Sequence, residues 1–224
     1  MKAMLLAAGR GERLRPLTAA LPKPLVPVRG KPLIVWHLER LAAAGCREAV
    51  INVSHLGEQI VGALGDGARF GLRIAYSREA EPLETAGGIA NALALLGETP
   101  FLLVNADIYC ECDFAGLKSL CLDSTLAHLV LVPNPPHHSA GDFTLTAGSV
   151  GNGSGPRYTY SGVAVMSPRL VATVARGSKA QLAPLLRAAA DQGRISGELF
   201  GGLWQDVGTA ERLADLERQL ASRT

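Results

Sequence analysis

The chain has no apolar run near the roughly 20 residues that span a bilayer. Its first apolar stretch stops by Ala8, so neither a membrane helix nor an export signal is read. It also lacks charge imbalance. Lys and Arg number 22 against 20 Asp and Glu, a formal net charge of +2. That gives no whole-molecule case for nucleic acid or a membrane surface as partner, and any use of positive charge must be local. Cysteine is scarce. Cys46, Cys110, Cys112 and Cys121 form no CxxC pair, which argues against zinc. Without an export signal they are expected as reduced thiols in the cytoplasm. Two nucleotide signatures are missing as well. GxGxxG fails at Leu14, where its third glycine would stand, and GxxxxGK[ST] is absent. Nicotinamide hydride transfer and P-loop hydrolysis both lose support.

What is present is apolar material, 48% of 224 residues, enough for one domain over residues 1–224 with a sizeable core. Strands are expected over Lys2–Ala8, Ala49–Ser54, Leu72–Ser77 and Phe101–Asn105. Helices are expected over Pro32–Ala44, Gly57–Leu64, Gly87–Leu96 and Asp113–Leu122. This alternation predicts a mostly parallel sheet covered on both faces, an α/β fold whose ligands gather beyond the carboxyl ends of its strands. After about residue 126 the rhythm changes. Leu126–Val132 and Tyr158–Met166 read as strands, with short Gly- and Ser-rich hairpins between them lying over the sheet. Helices follow over Pro168–Arg176 and Ala180–Gln192, then a strand pair across 194–204 and a last helix from about Thr209.

The richest stretch follows the first strand. Gly9-Arg10-Gly11 lets backbone N–H groups converge without a Cβ in the way, and converging amides bind anions. Arg13, Arg15 and Lys23 follow, the lysine held between Pro22 and Pro24 on a stiffened segment. A stiff lysine with a nearby arginine suits a polyphosphate. The plain alternative is a basic surface loop. Asp107 and Asp206, one after a strand and one before a helix, are either structural caps or ligands for a hard cation. Glu81 is a solvated loop charge, or it accepts from a base N–H of uracil or of guanine. Lys179 could reach a phosphate or merely precede a helix. His137-His138, with no further ligand nearby, reads as a loop pair rather than a metal site.

Gly9–Val28, written Gly-x-Gly-x-Arg-Leu-x-Pro-Leu-Thr-(x)3-Pro-Lys-Pro-Leu-x-Pro-Val, resembles the signature of the sugar-1-phosphate nucleotidyltransferases. Glu81–Gly88 resembles that family's base-binding segment, and Asn105-Ala106-Asp107 its Asn-Gly-Asp metal motif. Gly141-Asp142-Phe143 and Tyr160-Ser161-Gly162 resemble its sugar-side loops, and Gly202–Thr209 its second metal motif. Ala106 and Ala86 depart from glycines common in these motifs, and neither change removes a charge. The wording Glu-Pro-Leu-Glu-Thr is most similar to the branch that uridylylates N-acetylmuramate 1-phosphate. Guanylyl transfer to mannose or heptose 1-phosphate stands as the alternative, and a non-catalytic nucleotide-sugar-binding module as an alternative of another class.

The resemblance implies a Rossmann-like three-layer sandwich with its small antiparallel hairpins over the sugar side. It implies a nucleoside triphosphate and a sugar 1-phosphate as partners, Mg²⁺ as cofactor, and a monomer or small homo-oligomer. It implies catalytic roles for Arg13, Lys23 and Asp107. It places Ala7, Gly9, Gly11, Glu12, Arg13, Lys23, Glu81 and Gly87 around the nucleotide. Asn105, Gly141, Asp142 and Asn152 fall near the sugar, and Asp107 and Asp206 on the metal.

Overall fold

A computed structural model describes residues 1–223. In chain order its elements are β1 (Ala3–Leu6), β2 (Pro27–Val28), β3 (Lys31–Pro32), α1 (Leu33–Ala43), β4 (Glu48–Val53), α2 (Gly57–Leu64), β5 (Arg73–Arg78) and α3 (Glu84–Leu96). Next come β6 (Phe101–Asn105), β7 (Ile108–Cys110), α4 (Phe114–Lys118), β8 (Ala127–Val132), β9 (Phe143–Thr146), β10 (Ser149–Gly151) and β11 (Arg157–Met166). Last are α5 (Leu182–Asp191), β12 (Ile195–Leu199), β13 (Trp204–Asp206) and α6 (Ala210–Ala221).

Nine strands form one sheet in the order β5-β4-β1-β6-β11-β8-β12-β10-β9. Side chains alternate across it because successive Cβ atoms point to opposite faces. Along β1, Ala3 and Leu5 join the core under α1, α2 and α4, while Met4 joins the core under α3 and α5. The molecule is therefore an α/β three-layer sandwich. A third, smaller core of Val28, Leu33, Tyr109, Leu203, Val207 and Leu216 lies beneath α6.

The sheet is mixed, which corrects the expectation of a mostly parallel one. β5, β4, β1 and β6 run parallel, as do β8 and β12, but β11 is antiparallel to both β6 and β8. Central strands covered on both faces are continuous apolar runs whichever way they point, so their sequence carries no direction. The β9–β10 hairpin does not lie over the sheet. It extends the edge beyond β12, and β9 then pairs back to Arg157 and Tyr158 of β11. The expected pairing within 194–204 is also replaced. β12 joins the large sheet, and β13 pairs with β7 in a separate two-stranded ribbon. Of the helix expected over 168–176, only a 3-10 turn at Pro168–Val171 forms, capped by Ser167.

β1 is the strand where the topology reverses. The chain adds β4 and β5 on one side of it, then crosses to add β6 on the other. Ligands of such sheets bind at that switch point.

Candidate functional site

A cavity of about 570 Å³ opens at the carboxyl ends of β1, β4 and β6. Its floor is the turn that follows β1. Gly11 is left-handed (φ 64°), and its carbonyl accepts from Thr18 Oγ1 at 2.7 Å and from Leu14 N at 3.0 Å. Leu14, the residue that breaks the dinucleotide pattern, is buried and anchors the turn. Gly9, Gly11, Glu12 and the exposed Arg13 are thus left along the cavity wall.

Lys23 begins a short 3-10 turn behind Pro22. It is only 8% exposed, and its Nζ sits 2.7 Å from Asp107 Oδ2. The cavity wall therefore carries a cation already aimed at a carboxylate, with no long side-chain search left to make.

The cavity lining also holds a relay that the sequence reading missed. Ala7 N donates to Asn52 Oδ1, and Asn52 Nδ2 donates to Glu79 Oε1, both at 2.7 Å. Glu79 Oε2 accepts from Leu83 N at 2.9 Å. Asn52 and Glu79 are both buried, and both line the cavity. Their only trace in the sequence is a lone polar residue inside an apolar strand, Asn52 in Ala-Val-Ile-Asn-Val. The predicted acid Glu81 is placed differently. It lies exposed, paired with Lys179 Nζ at 2.5 Å, and the Lys179 hydrogen bond holds its carboxyl below the usual range. Gly87 turns its back on the cavity. A Cβ there would collide with Ser178 O, because α3 packs against the 178–180 segment.

Asp107 and Asp206, 99 positions apart (206 − 107), meet on the ribbon. Across β7 and β13, Ile108 pairs with Asp206 and Cys110 with Trp204. Just beyond, Val207 N donates to Asp107 O at 3.0 Å. Asp206 Oδ2 is bound by Arg212. His137 Nε2 lies 3.1 Å from Oδ1, yet that enclosed oxygen receives no hydrogen bond. Asp107 keeps a side chain 43% exposed, with Lys23 on one oxygen. Asp107 lines the cavity and Asp206 does not, while an orphaned carboxylate oxygen such as Asp206 Oδ1 is the kind of group a hard cation takes. Among the described residues, no group of three or more His, Cys, Asp or Glu could hold a metal by itself. Any such cation would need further oxygens from substrate and water.

The ribbon's other edge is held by α1. His37 Nε2 donates to Ile108 O at 2.7 Å, and Arg40 donates to Cys110 O and to Tyr109 Oη. Burial drives the His37 pKa down to about 4, the Ile108 hydrogen bond only partly opposing it, so the ring is neutral. Trp204 donates to Ser161 O at 2.8 Å and so ties β13 to β11.

On the remaining side, Asn105 ends β6 and lines the cavity. Gly162 packs against it at a bulge in β11. Asp142, after the left-handed Gly141, accepts from Tyr160 N at 2.8 Å and sits 3.0 Å from His138 Nε2. Neither residue of that pair lines the cavity. Asn152 lies elsewhere, donating to Arg187 O and Asp191 Oδ1 of α5, both at 2.8 Å.

A family model for nucleotidyl transferases matches residues 2–142. The chain is 52% identical to an N-acetylmuramate alpha-1-phosphate uridylyltransferase of Neisseria meningitidis, over 97% of each chain. It is 36% identical to a protein of that name from Caulobacter vibrioides, over 98% of this chain and 96% of the relative. Its fold matches a Bacillus anthracis protein described as a glucose-1-phosphate thymidylyltransferase, with TM-score 0.87 and 18% identity, over 98% of this chain and 94% of that one.

Proposed function

The chain belongs to the nucleotidyl transferase family, and we propose that within it the protein uridylylates N-acetylmuramic acid α-1-phosphate. An oxygen of the sugar phosphate bonds the α-phosphorus of UTP. The bond from that phosphorus to its bridging oxygen breaks, and pyrophosphate leaves. The observation that carries the reading is Lys23 beside Asp107 in a cavity floored by the Gly9–Arg13 turn. Two relatives bearing that substrate name, each matching nearly end to end, support the choice of sugar and base.

In this reading the Gly9 and Gly11 amides, Glu12, Arg13 and Lys23 line the triphosphate. Positioned cations and amides act where charge develops and need no reorganisation when it does. Ala7, Asn52 and Glu79 frame the base. Asn105 faces the sugar phosphate, with Gly141 and Asp142 shaping the loop beyond it. Asn152 is left out because α5 occupies its amide. Asp107 and Asp206 would hold Mg²⁺, which supplies neutralisation of the triphosphate and of the leaving pyrophosphate. The chain works as one unit, as a monomer or small homo-oligomer, in the cytoplasm, on muramic acid recovered from the cell wall.

The test is a panel of nucleoside triphosphates against sugar 1-phosphates, read by pyrophosphate release. UTP with N-acetylmuramic acid 1-phosphate is expected to give the highest kcat/KM. GTP with mannose or heptose 1-phosphate ahead by about tenfold, about 1.4 kcal/mol, would replace the substrate reading. No pyrophosphate from any pair would leave only a binding module.

A further inference from the structure

Two thiols stand at the end of the ribbon and just beyond it, with no part in the reaction above. Cys110 ends β7, and Cys112 follows two residues later. Both are free and buried, and their sulfurs share a hydrogen bond at 3.1 Å. A disulfide needs about 2.05 Å, so roughly 1 Å of approach separates contact from bond. Cys112 also lines a second cavity of about 400 Å³, open beside Arg40, Glu111, Asp113 and Phe114. Cys110 is wholly buried and does not line it, so a small oxidant meets the pair at Cys112. The hydrogen bond between the two sulfurs holds the Cys110 thiol below its ordinary range despite burial, which readies it to attack a Cys112 sulfur once that is oxidised.

We propose that Cys110 and Cys112 form a reversible intrachain disulfide on exposure to hydrogen peroxide, and that closing it disturbs the ribbon carrying Asp107 and Asp206. The Cys112 sulfur attacks one peroxide oxygen, the O–O bond breaks, and the departing hydroxide takes the thiol proton as water, leaving a sulfenic acid on Cys112. The second sulfur then attacks that sulfur, the S–O bond breaks, and its thiol proton leaves with the hydroxide as water. Two thiols are oxidised to one disulfide, and one peroxide is reduced to two waters.

The geometry says why the ribbon must respond. Alternate residues of an extended segment stand about 6.6 Å apart, at about 3.3 Å per residue. That is the far edge of the roughly 4.4–6.8 Å between Cα atoms that disulfides tolerate. Closing the bond therefore puckers the chain at Glu111. Glu111 N donates to Leu203 O at 3.0 Å, and its carboxylate binds Arg223 at 2.8 Å. The pucker pulls on Leu203 and on Trp204, which stands two residues from Asp206. A strained bond of this kind is also readily reduced.

The experiment uses the full chain with exposed Cys121 changed to Ser, treated with hydrogen peroxide that is then removed by catalase. Trypsin leaves Cys110 and Cys112 together on peptide 79–118, with no other cysteine. That peptide is expected to lose two hydrogens and to resist alkylation, and dithiothreitol should restore it. Turnover is expected to fall about tenfold and to recover with the reductant, since a displacement near 1 Å at a reacting centre can cost about a hundredfold. Cys112→Ser should keep basal turnover and ignore peroxide, and Cys112→Ala repeats the check should the serine variant misfold. No bridged peptide, or oxygen added at Cys46 alone, would overturn the site. A bridged protein with unchanged turnover would overturn its hold on the ribbon. The turnover arm rests on the proposed reaction, whereas the peptide mass needs no substrate and fails or succeeds independently of it.

Discussion

Lys23 shows how much one position can be told by its neighbours. Prolines on both sides restrict its backbone, and the structure buries it to 8% exposure with Asp107 at 2.7 Å. Replacing Lys23 or Arg13 by Ala is expected to lower kcat about a hundredfold, the loss typical of one contact made in the transition state, about 3 kcal/mol. Melting temperature should barely move, because Asp107 stays open enough to be solvated and Arg13 is exposed. Near-normal kcat in either variant would remove that residue from the chemistry. Glu81 and Glu79 mark the limit of this legibility. Two acids two positions apart look alike in a loop sequence. Only the fold shows that Glu79 turns inward to Asn52, while Glu81 turns out to Lys179.

The ribbon was the element least visible in advance. β7 is three residues, Ile-Tyr-Cys, too short to show an alternation, and its partner lies far along the chain. One edge is satisfied by β13. The other receives side-chain donors from α1 in place of a third strand, His37 on Ile108 O and Arg40 on Cys110 O. Helix α1 itself was readable, since Ile34, Leu38 and Leu41 mark its buried face. The task of His37 was not. Because its pKa falls from 6.5 to about 4 in the folded protein, the unfolded chain alone binds a proton between those values. Stability contributed by the neutral ring is present above about pH 6.5 and is lost as pH falls toward 4. The loss approaches about 3 kcal/mol, at about 1.4 kcal/mol per pKa unit. Urea denaturation at pH 7 and pH 4.5 should show a wild-type decline that His37→Gln shares only in part. Parallel curves for the two proteins would mean that His37 does not titrate in this way.

At the scale of the molecule, three layers followed from the alternation of strands and helices, whereas the switch point at β1 shows only in the strand order. The reversed β11 did not, because an interior strand is equally apolar in either direction. The reversal matters for the site. β11 bulges at Gly162 (φ 85°), and the bulge sets Ser161 O under Trp204 and presses Gly162 on Asn105. On the proposed reaction, Asp107 and Asp206 act as one unit although 99 positions (206 − 107) separate them. Asp107→Asn and Asp206→Asn are each expected to lose most activity and to raise the Mg²⁺ concentration needed for half-maximal rate. The double variant should be far less impaired than the product of the two, as residues acting together are not additive. Multiplicative losses with an unchanged Mg²⁺ requirement would separate them.

That same ribbon fixes a sequence in time. A chain growing from its N-terminus on the ribosome completes the glycine turn after β1 first, then the turn between β6 and β7 that bears Asp107. For nearly a hundred further residues β7 has no partner strand. Asp206 emerges only with β13, and Arg212, which steadies it, comes later still. A nascent chain thus holds both Lys23 and Asp107 well before it holds Asp206, and on the proposed reaction a product that stops ahead of Trp204 is expected to show no turnover.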